Sequence, residues 1–357
     1  MIANRKLGVG VLLAAMLVIS TAFVPAVSAE TLTEDTANIA VGEVEYPVPE
    51  PEPITVPNTT PESPYRYLLE ADNEEQEILF SYIENCYVSD EEKKEMKKAM
   101  KDIWKRYPDQ ITEQDNLMLD KVAKATAEYL NDKYGDVGIN WSGPNMHGDI
   151  IHIACIKWGV SASNAQIANN SAPVPDTWNS GFWQSYNHYY DPVLQTGYAH
   201  TNCANRANIA KDYYNSGQYT SAYQHLGYSS HYMADLGNPM HTGKEYAQYQ
   251  NQWVHTSYES YVANNWNTGY NYKNVVQNTG TYYSITNPEQ SAEDLASATR
   301  SDLNALYDEV FYYPNTFGSD PDVIEITQRV LGKTAKYNMG LVKYVRGNPL
   351  NFLNMTW

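Results

Sequence analysis

His231-Tyr-Met-Ala-Asp235-Leu-Gly-Asn-Pro239-Met-His241 is the stretch from which the fold and a candidate site are predicted. It follows a run of Ala, Leu, Gln and Tyr over 219–230, a pattern that predicts an amphipathic helix. His231 and Asp235 lie one helical turn apart, so both side chains leave the same face. Pro239 ends the helix, and we expect the following turn to bring His241 back toward that face.

A second pair of candidate ligands follows soon after this stretch. His255 and Glu259 repeat the one-turn spacing of a histidine and an acid. Imidazoles and carboxylates are ligands that a divalent ion such as zinc accepts. A single histidine of this kind is more often a hydrogen-bonded core or surface residue. Two such pairs on either side of a third histidine favour a metal site.

The charge of the chain is strongly asymmetric. The 357 residues allow one large domain or two smaller ones, and the formal net charge is −18. More than half of the acidic residues precede residue 140, whereas every histidine follows it. We therefore expect an acidic front segment and a separate rear segment. So acidic a chain lacks the general electrostatic footprint for nucleic acid, and no stable nucleic-acid partner is expected, although a nucleic-acid substrate held by metals is not excluded.

The first 29 residues have the pattern of a secretory signal. Arg5 and Lys6 form the charged start, 7–24 the apolar run, and Val27-Ser-Ala29 a small-residue cleavage site. An uncleaved membrane anchor is the alternative, but the glycines and the small-residue exit favour removal. No later apolar stretch is long enough to span a bilayer, so we expect a secreted, extracellular product.

Residues 30–140 combine a linker with a helical segment. The chain is acidic and Pro-rich up to about Pro64, which predicts an extended linker. Ser89-Asp-Glu-Glu92 is a capping box that opens a Lys-rich helix, and Thr112 or a neighbour opens another that runs to about Lys133. We expect two or three helices in a small bundle, with nothing arranged for chemistry.

The rear segment, 141–357, is rich in Tyr, Asn and Trp, and shows no convincing strands. An all-α architecture with a site between facing helices is therefore predicted. The expected helices lie near 149–162, 200–216, 219–236, 252–265, 290–308 and 321–346. The three cysteines, Cys86, Cys155 and Cys203, do not form a disulfide framework. Pairing of Cys155 with Cys203 stays open, and a buried helical Cys155 is favoured.

Three more candidate ligands lie in the rear segment. His152 stands within its first predicted helix, Asp176 in a loop, and His188 before Tyr-Tyr-Asp-Pro. The inventory of five imidazoles and three carboxylates is too large for one four-coordinate zinc and sufficient for two or three ions. The remaining histidines are assigned structural roles: His147, His200 and His225.

These residues, in this order, resemble the zinc-dependent phospholipase C family. That bacterial extracellular group includes a small phosphatidylcholine-preferring enzyme and the clostridial α-toxin, and is distantly related to the P1/S1 nucleases. The resemblance covers roughly 141–344. It is most specific at His188-Tyr-Tyr-Asp-Pro, at the opening stretch, and at His255-x-x-x-Glu259.

The resemblance implies three zinc ions held by one set of ligands. His231 and His188 would serve one ion, while His241, His255 and Glu259 would serve another. The set is Trp141, His152, Asp176, His188, His231, Asp235, His241, His255 and Glu259, with Asp235 shared between two ions. His152 is preferred over His147 because the residues after it resemble the family's first helix. The assignment of Asp176 rests only on its separation from His188 along the sequence.

The third ion would be held by His152 together with the α-amino group and carbonyl of Trp141. A peptide nitrogen has no lone pair to give, so Trp141 fits this role only as a free N-terminus; otherwise two ions are expected. Residues 30–140 are therefore interpreted as a prosegment that a processing protease removes. The alternative is a permanent accessory domain with Trp141 as a core aromatic.

The function expected from the resemblance is a secreted zinc-dependent phospholipase C that acts on phospholipid at a membrane surface. Clustered divalent ions suit this reaction because they neutralise the phosphodiester and lower the pKa of water. Asp176 would bind a metal or act as general base. The family's choline-recognising residues have no clear match at Pro144 or Thr177. The alternatives are a P1/S1-like single-strand nuclease and a non-catalytic exported metal-binding protein.

Overall fold

The computed structural model describes residues 63–134, 145–178, 186–243 and 252–347. The helices of the front segment are α1 Arg66–Leu69, α2 Asn73–Asn85, α3 Asp90–Trp104 and α4 Glu113–Tyr134. The longer helices of the rear segment are α5 Met146–Lys157, α6 Ala162–Ser171, α7 Ala199–Asn215, α8 Tyr219–Leu236, α9 Gln252–Asn264, α10 Lys273–Asn278, α11 Pro288–Arg300, α12 Leu303–Tyr312 and α13 Pro321–Arg346. Single 3₁₀ turns lie at Val174–Thr177, Pro239–His241 and Phe317–Ser319.

The all-α prediction is confirmed. Strand structure in the described residues is one antiparallel pair of two-residue strands, β1 Tyr190–Asp191 and β2 Thr196–Gly197. None of the described helices combines the length and the apolarity that crossing a bilayer requires. The predicted signal 1–29, the linker up to residue 62 and the boundary between 140 and 141 lie outside the described residues.

The front segment forms as its capping signals predict, with one more short helix than expected. Ser89 accepts the backbone N–H of Glu92, whose side chain returns to the Ser89 N–H, so the predicted capping box is present. Thr112 caps α4 in the same reciprocal way with Asp115. Each box satisfies N–H groups that the first helical turn leaves without partners.

Helix α8 is the buried centre of the rear segment. All its residues from Leu226 to Leu236 are buried. Two glycines allow neighbouring helices to approach closely: a Cβ at Gly227 would lie 2.4 Å from the backbone oxygen of Ala168, and one at Gly237 would lie 1.9 Å from Thr334 Oγ1. Close packing near its middle and at its C-terminal end therefore fixes the position of the helix that carries His231 and Asp235.

One predicted helix is shorter than expected and another is divided in two. The helix expected over 149–162 ends at Lys157, because Gly159 adopts a positive φ of 67°, and Ser161 then caps α6. The helix expected over 290–308 breaks between Arg300 and Leu303. The open pairing of cysteines is also resolved. Cys155 and Cys203 are buried free thiols, and Cys203 Sγ lies 3.4 Å from Ser229 Oγ.

Candidate metal centre

Two helices and a 3₁₀ turn position the candidate ligands of 231–241 and the pair that follows. Helix α8 carries His231 and Asp235 one turn apart, and the 3₁₀ turn Pro239–His241 places His241 just beyond the end of the helix. Helix α9 carries His255 and Glu259, again one turn apart. Four of these five side chains are buried, and the His255 side chain is 20% exposed.

The first cluster, here called the α8 group, consists of His147, Asp176, His188, His231 and Asp235. His188 Nδ1 lies 2.9 Å from Asp235 Oδ2 and 2.9 Å from His231 Nε2, and the latter lies 3.2 Å from Asp235 Oδ2. Asp176 Oδ1 completes the arrangement at 3.4 Å from His231 Nε2 and 3.7 Å from His188 Nδ1. Four donor atoms from separate parts of the chain thus face a common point.

The second oxygen of Asp235 faces a different partner. His147 Nε2 lies 3.5 Å from Asp235 Oδ1, and the His147 ring stacks on that of His231 at 4.4 Å. The two Asp235 oxygens therefore face different partners: Oδ2 faces His188 and His231, and Oδ1 faces the His147 imidazole. A carboxylate shared between two ions likewise presents one oxygen to each side.

The structure places His147, and not the predicted ligand His152, beside Asp235, and the ligation of an ion by His152 and Trp141 stays a prediction. His147 is 3% exposed and belongs to the α8 group, whereas His152 is half-buried and belongs to none of the groups of candidate ligands in the described residues. Five residues separate the two positions, and five residues turn a helix by about 140°. Only one of the two side chains is therefore able to face α8.

The second cluster, here called the α9 group, consists of His241, His255 and Glu259. Glu259 Oε1 lies 3.1 Å from His241 Nε2 and 2.7 Å from His255 Nε2, and the two ring nitrogens lie 3.1 Å apart. These are the three residues that the resemblance assigns to one ion. Whether they bind a metal stays a prediction.

Two hydrogen bonds orient the α9 group. His241 Nδ1 donates to the backbone oxygen of His188 at 2.7 Å, so Nε2 is the ring nitrogen that faces Glu259 and would bind a metal once it has lost its proton. Asn238 Nδ2 donates to Glu259 Oε1 at 3.2 Å, while its Oδ1 caps the 3₁₀ turn at Met240 N. The sequence prediction assigned no role to Asn238, although Asn before Pro is a common N-cap.

Charges within the α8 group are strongly coupled. Burial alone raises the pKa of Asp235, but the charge of His231 and hydrogen bonds from His188 and His231 outweigh it and hold that pKa well below its usual value. Burial lowers the pKa of His231, and the charges of Asp235 and Asp176 more than compensate, raising it to about 10. Burial and the charge of His231 together lower the pKa of His147 to about 4.

The α9 group has the same balance of effects. Burial opposes the shift at Glu259, but the charges of His255 and His241 and their hydrogen bonds lower its pKa to about 2. Burial likewise opposes the shift at His241, where Glu259 and Asp235 raise the pKa to about 9. In both groups the buried carboxylates thus keep positive charge on the neighbouring imidazoles. Protons supply that charge when no other cation is bound.

The donor set fits zinc. In a tetrahedral zinc site with bonds of ~2.0–2.1 Å, neighbouring ligand atoms lie about 3.3 Å apart. The five measured separations among the four converging atoms of the α8 group run from 2.9 to 3.7 Å, and those of the α9 group from 2.7 to 3.1 Å. Ring nitrogens that face each other at 2.9 and 3.1 Å must have a proton or a metal ion between them, because two facing lone pairs repel.

His200 and His225 belong to neither cluster of the described residues. His200 stacks on Tyr190 at 4.0 Å and lies 3.7 Å from Glu293, while His225 packs against Tyr213. Both keep the structural roles that the sequence predicted. Trp141 lies outside the described residues, so its proposed ligation stays a prediction.

Comparisons with known proteins give a structural likeness only. Similar solved structures include the α-toxin of Clostridium absonum, with 16% identity over 58% of this chain and 65% of the toxin and a TM-score of 0.43. Another is the α-toxin of Clostridium perfringens from avian strain SWCP, with 13% identity, coverage of 58% and 64%, and a TM-score of 0.39. The chain thus spans less than two thirds of the length of either toxin. No protein-family model and no curated protein matches the sequence.

Proposed function

We propose that this protein is a zinc-dependent phosphodiester hydrolase, and that it cleaves glycerophospholipids to diacylglycerol and a phosphorylated head group. One observation carries the proposal: seven imidazole and carboxylate side chains of the predicted site, joined by His147, converge in two adjacent clusters at ligand-like separations. Two or three zinc ions suit this donor set, and when bound they supply neutralising charge for the phosphodiester and acidify water.

The proposed division of labour among the ligands follows from their burial. The imidazoles of His188 and His231 and the carboxylate of Asp235 lie in the interior and hold fixed positions. Asp235 presents one oxygen to each of two donor sets. These residues bind and orient, because moving them would disturb the packed core around α8.

Asp176 differs from the other members in being accessible. Its side chain is 38% exposed, although Oδ1 lies 3.4 Å from His231 Nε2. One oxygen of the carboxylate is thus directed at the cluster while the group remains open to solvent and to an entering substrate. We assign it the role of fourth ligand of the α8 group and of the base that takes a proton from the attacking water.

The proposed location is extracellular, since the predicted signal 1–29 precedes the chain described here. The proposed substrate surface is a phospholipid membrane or micelle. The acidic charge of −18 argues against a lasting complex with nucleic acid.

A direct assay tests the proposal. The full chain is stripped with chelator, reloaded with zinc, and offered short-chain phosphatidylcholine, phosphatidylethanolamine, phosphatidylserine and a fluorescent single-stranded DNA in parallel. We expect zinc-dependent release of phosphorylated head group. Cleavage of the DNA and of no phospholipid would show that the protein is a nuclease and not a phospholipase. Zinc binding without cleavage of any phosphodiester would reduce the protein to a metal-binding one.

A further inference from the structure

The front segment packs on the rear segment through a shared core. Tyr82 Oη donates to the backbone oxygen of Phe311 at 3.0 Å, and Tyr312 Oη donates to that of Tyr67 at 2.7 Å. The Phe311 ring lies 4.8 Å from that of Tyr67 and 5.7 Å from that of Tyr82. Arg66 adds a 2.6 Å ion pair with Asp308. Separating the segments would expose several large aromatic side chains to water, which is unfavourable.

One edge of this interface supports the helix that carries the α9 group. Trp253, in the first turn of α9, is fully buried, and its ring lies 5.4 Å from Tyr134 and 6.0 Å from Phe311. Its backbone N–H donates to Asn131 Oδ1 at 3.2 Å. The first N–H groups of a helix have no partner within the helix, so Asn131 acts as an N-cap supplied from α4.

His255 follows Trp253 by two residues, and Glu259 lies one turn further on. A change in the direction or order of the first turn of α9 therefore moves His255 first and Glu259 next. Metal affinity is sensitive to such shifts, because groups that orient the ligands typically change it by ~10–100-fold. Among these contacts of the front segment, those with the first turn of α9 are the ones that connect it to the candidate site.

We propose that the front segment, 63–134, is a lasting part of the metal site. Asn131 and Tyr134 fix the first turn of α9 and so position His255 and Glu259, and the segment stays bound when the chain is cut between the two segments. The inference rests on the proposed function only in assuming that the α9 group holds a metal. It departs from the expectation of a removed prosegment: cutting frees a new N-terminus but does not release the helices.

A nicked protein tests whether the segment stays bound. A specific protease site is inserted within 135–140 of the full chain, the purified protein is cut to completion, and the products are passed over a sizing column in native buffer. We expect the two pieces to elute together and to keep the zinc content of the uncut protein. Elution as two separate species overturns the proposal.

Substitutions test the positioning role. Asn131→Ala removes the cap, Asn131→Asp keeps an acceptor, and Asn85→Ala is the matched control, because the Asn85 amide bonds only to Ser81 within its own helix among the described contacts. We expect Asn131→Ala to weaken one zinc site about fivefold and to speed amide hydrogen exchange in the first turn of α9. Asn131→Asp should restore both.

Exchange and zinc affinity equal to those of Asn85→Ala would overturn the role of Asn131. Failure of the proposed function gives a different pattern. If the unmodified protein binds no zinc, the zinc readouts fall away, while co-elution and hydrogen exchange still decide whether the front segment holds α9.

Discussion

The α8 and α9 groups use the same ligand types but are supported differently. Helix α8 is held inside the rear segment, where Ser229 Oγ donates to the backbone of Cys203, Ser230 bonds Asn338, and Thr299 bonds the backbone of Leu236. Helix α9 is held from both segments: Asn131 and Tyr134 of the front segment contact Trp253 in its first turn, and further along Tyr258 Oη lies 3.2 Å from Thr327 Oγ1 of α13. Chemically similar half-sites are thus stabilised by regions far apart in sequence, and substitutions should separate their effects.

The largest effect is expected from Asp235→Asn. The substitution removes the charge that two donor sets share, and we expect zinc to leave the α8 group, one ion to remain on the α9 group, and turnover to fall at least ~100-fold. Metal analysis and hydrolysis of short-chain phospholipid measure both effects. Glu289→Gln, which changes an acid near His200 outside the cluster, is the control and should keep full zinc content.

Glu259→Gln tests the opposite half. Glu259 Oε1 is the atom that both imidazoles of the α9 group face, so its loss should remove a single zinc ion and leave the α8 group loaded. We expect the zinc content to fall by about one per chain, since three donors form this group. Loss of all zinc would mean that the two groups form one inseparable site.

His147→Ala and His152→Ala compare two histidines of one helix. We expect the first to weaken zinc binding by ~10–100-fold at the ion next to Asp235 Oδ1, and the second to change it little. Isothermal titration of chelator-stripped protein measures the difference. The reverse order would restore the prediction made from the sequence and contradict the position of α5.

A smaller and graded effect is expected from pH. Because the pKa of His231 is raised to about 10 and that of His241 to about 9, both are protonated at pH 7 in the metal-free protein. Zinc needs the neutral imidazoles, so binding should release protons and tighten as pH rises toward 9, about tenfold per unit for each proton displaced. Titrations at pH 7 in buffers of different ionisation enthalpy count the protons. Zinc binding without release of protons would contradict the raised pKa values of His231 and His241.

The raised histidine pKa values also predict how the metal-free protein responds to alkali. A histidine whose pKa is higher in the folded than in the unfolded protein stabilises the fold when it is protonated. This stabilisation is complete below about pH 6.5, the unfolded pKa, and is lost as pH rises through the folded pKa. The metal-free protein should therefore melt at a lower temperature near pH 10 than near pH 7, and bound zinc should reduce that difference. Thermal melts with and without chelator measure it.

Local signals in the sequence predicted much of the fold and most of the residues that the α8 and α9 groups bring together. Helix α8 was predicted with its observed bounds of 219 and 236, because its apolar pattern runs unbroken to Gly237 and Pro239. His231, Asp235, His255 and Glu259 were found by their one-turn spacing, which is a property of the helix itself. Asp176 and His188 were candidates by residue type to which the resemblance gave a role, and the structure places both beside His231.

What the sequence could not provide was the pairing of distant elements. The sequence favoured His152 over His147 because of the residues that follow His152, and only the packing of α5 against α8 places His147 beside Asp235. The contact between Asn131 and Trp253 joins residues 122 positions apart, for which no local signal exists. The aromatic contacts of the front segment were likewise hidden, because a buried aromatic has the same pattern whichever neighbour covers it.

Anomalous X-ray scattering at the zinc edge, from crystals of the zinc-loaded full chain, shows whether the α8 and α9 groups hold the ions. We expect a peak ~2.0–2.2 Å from the donor atoms of His188, His231 and Asp235, and another peak at the same distance from those of His241, His255 and Glu259. Zinc bound only at separate surface positions, with these side chains hydrogen-bonded to one another and no peak between them, would contradict this expectation.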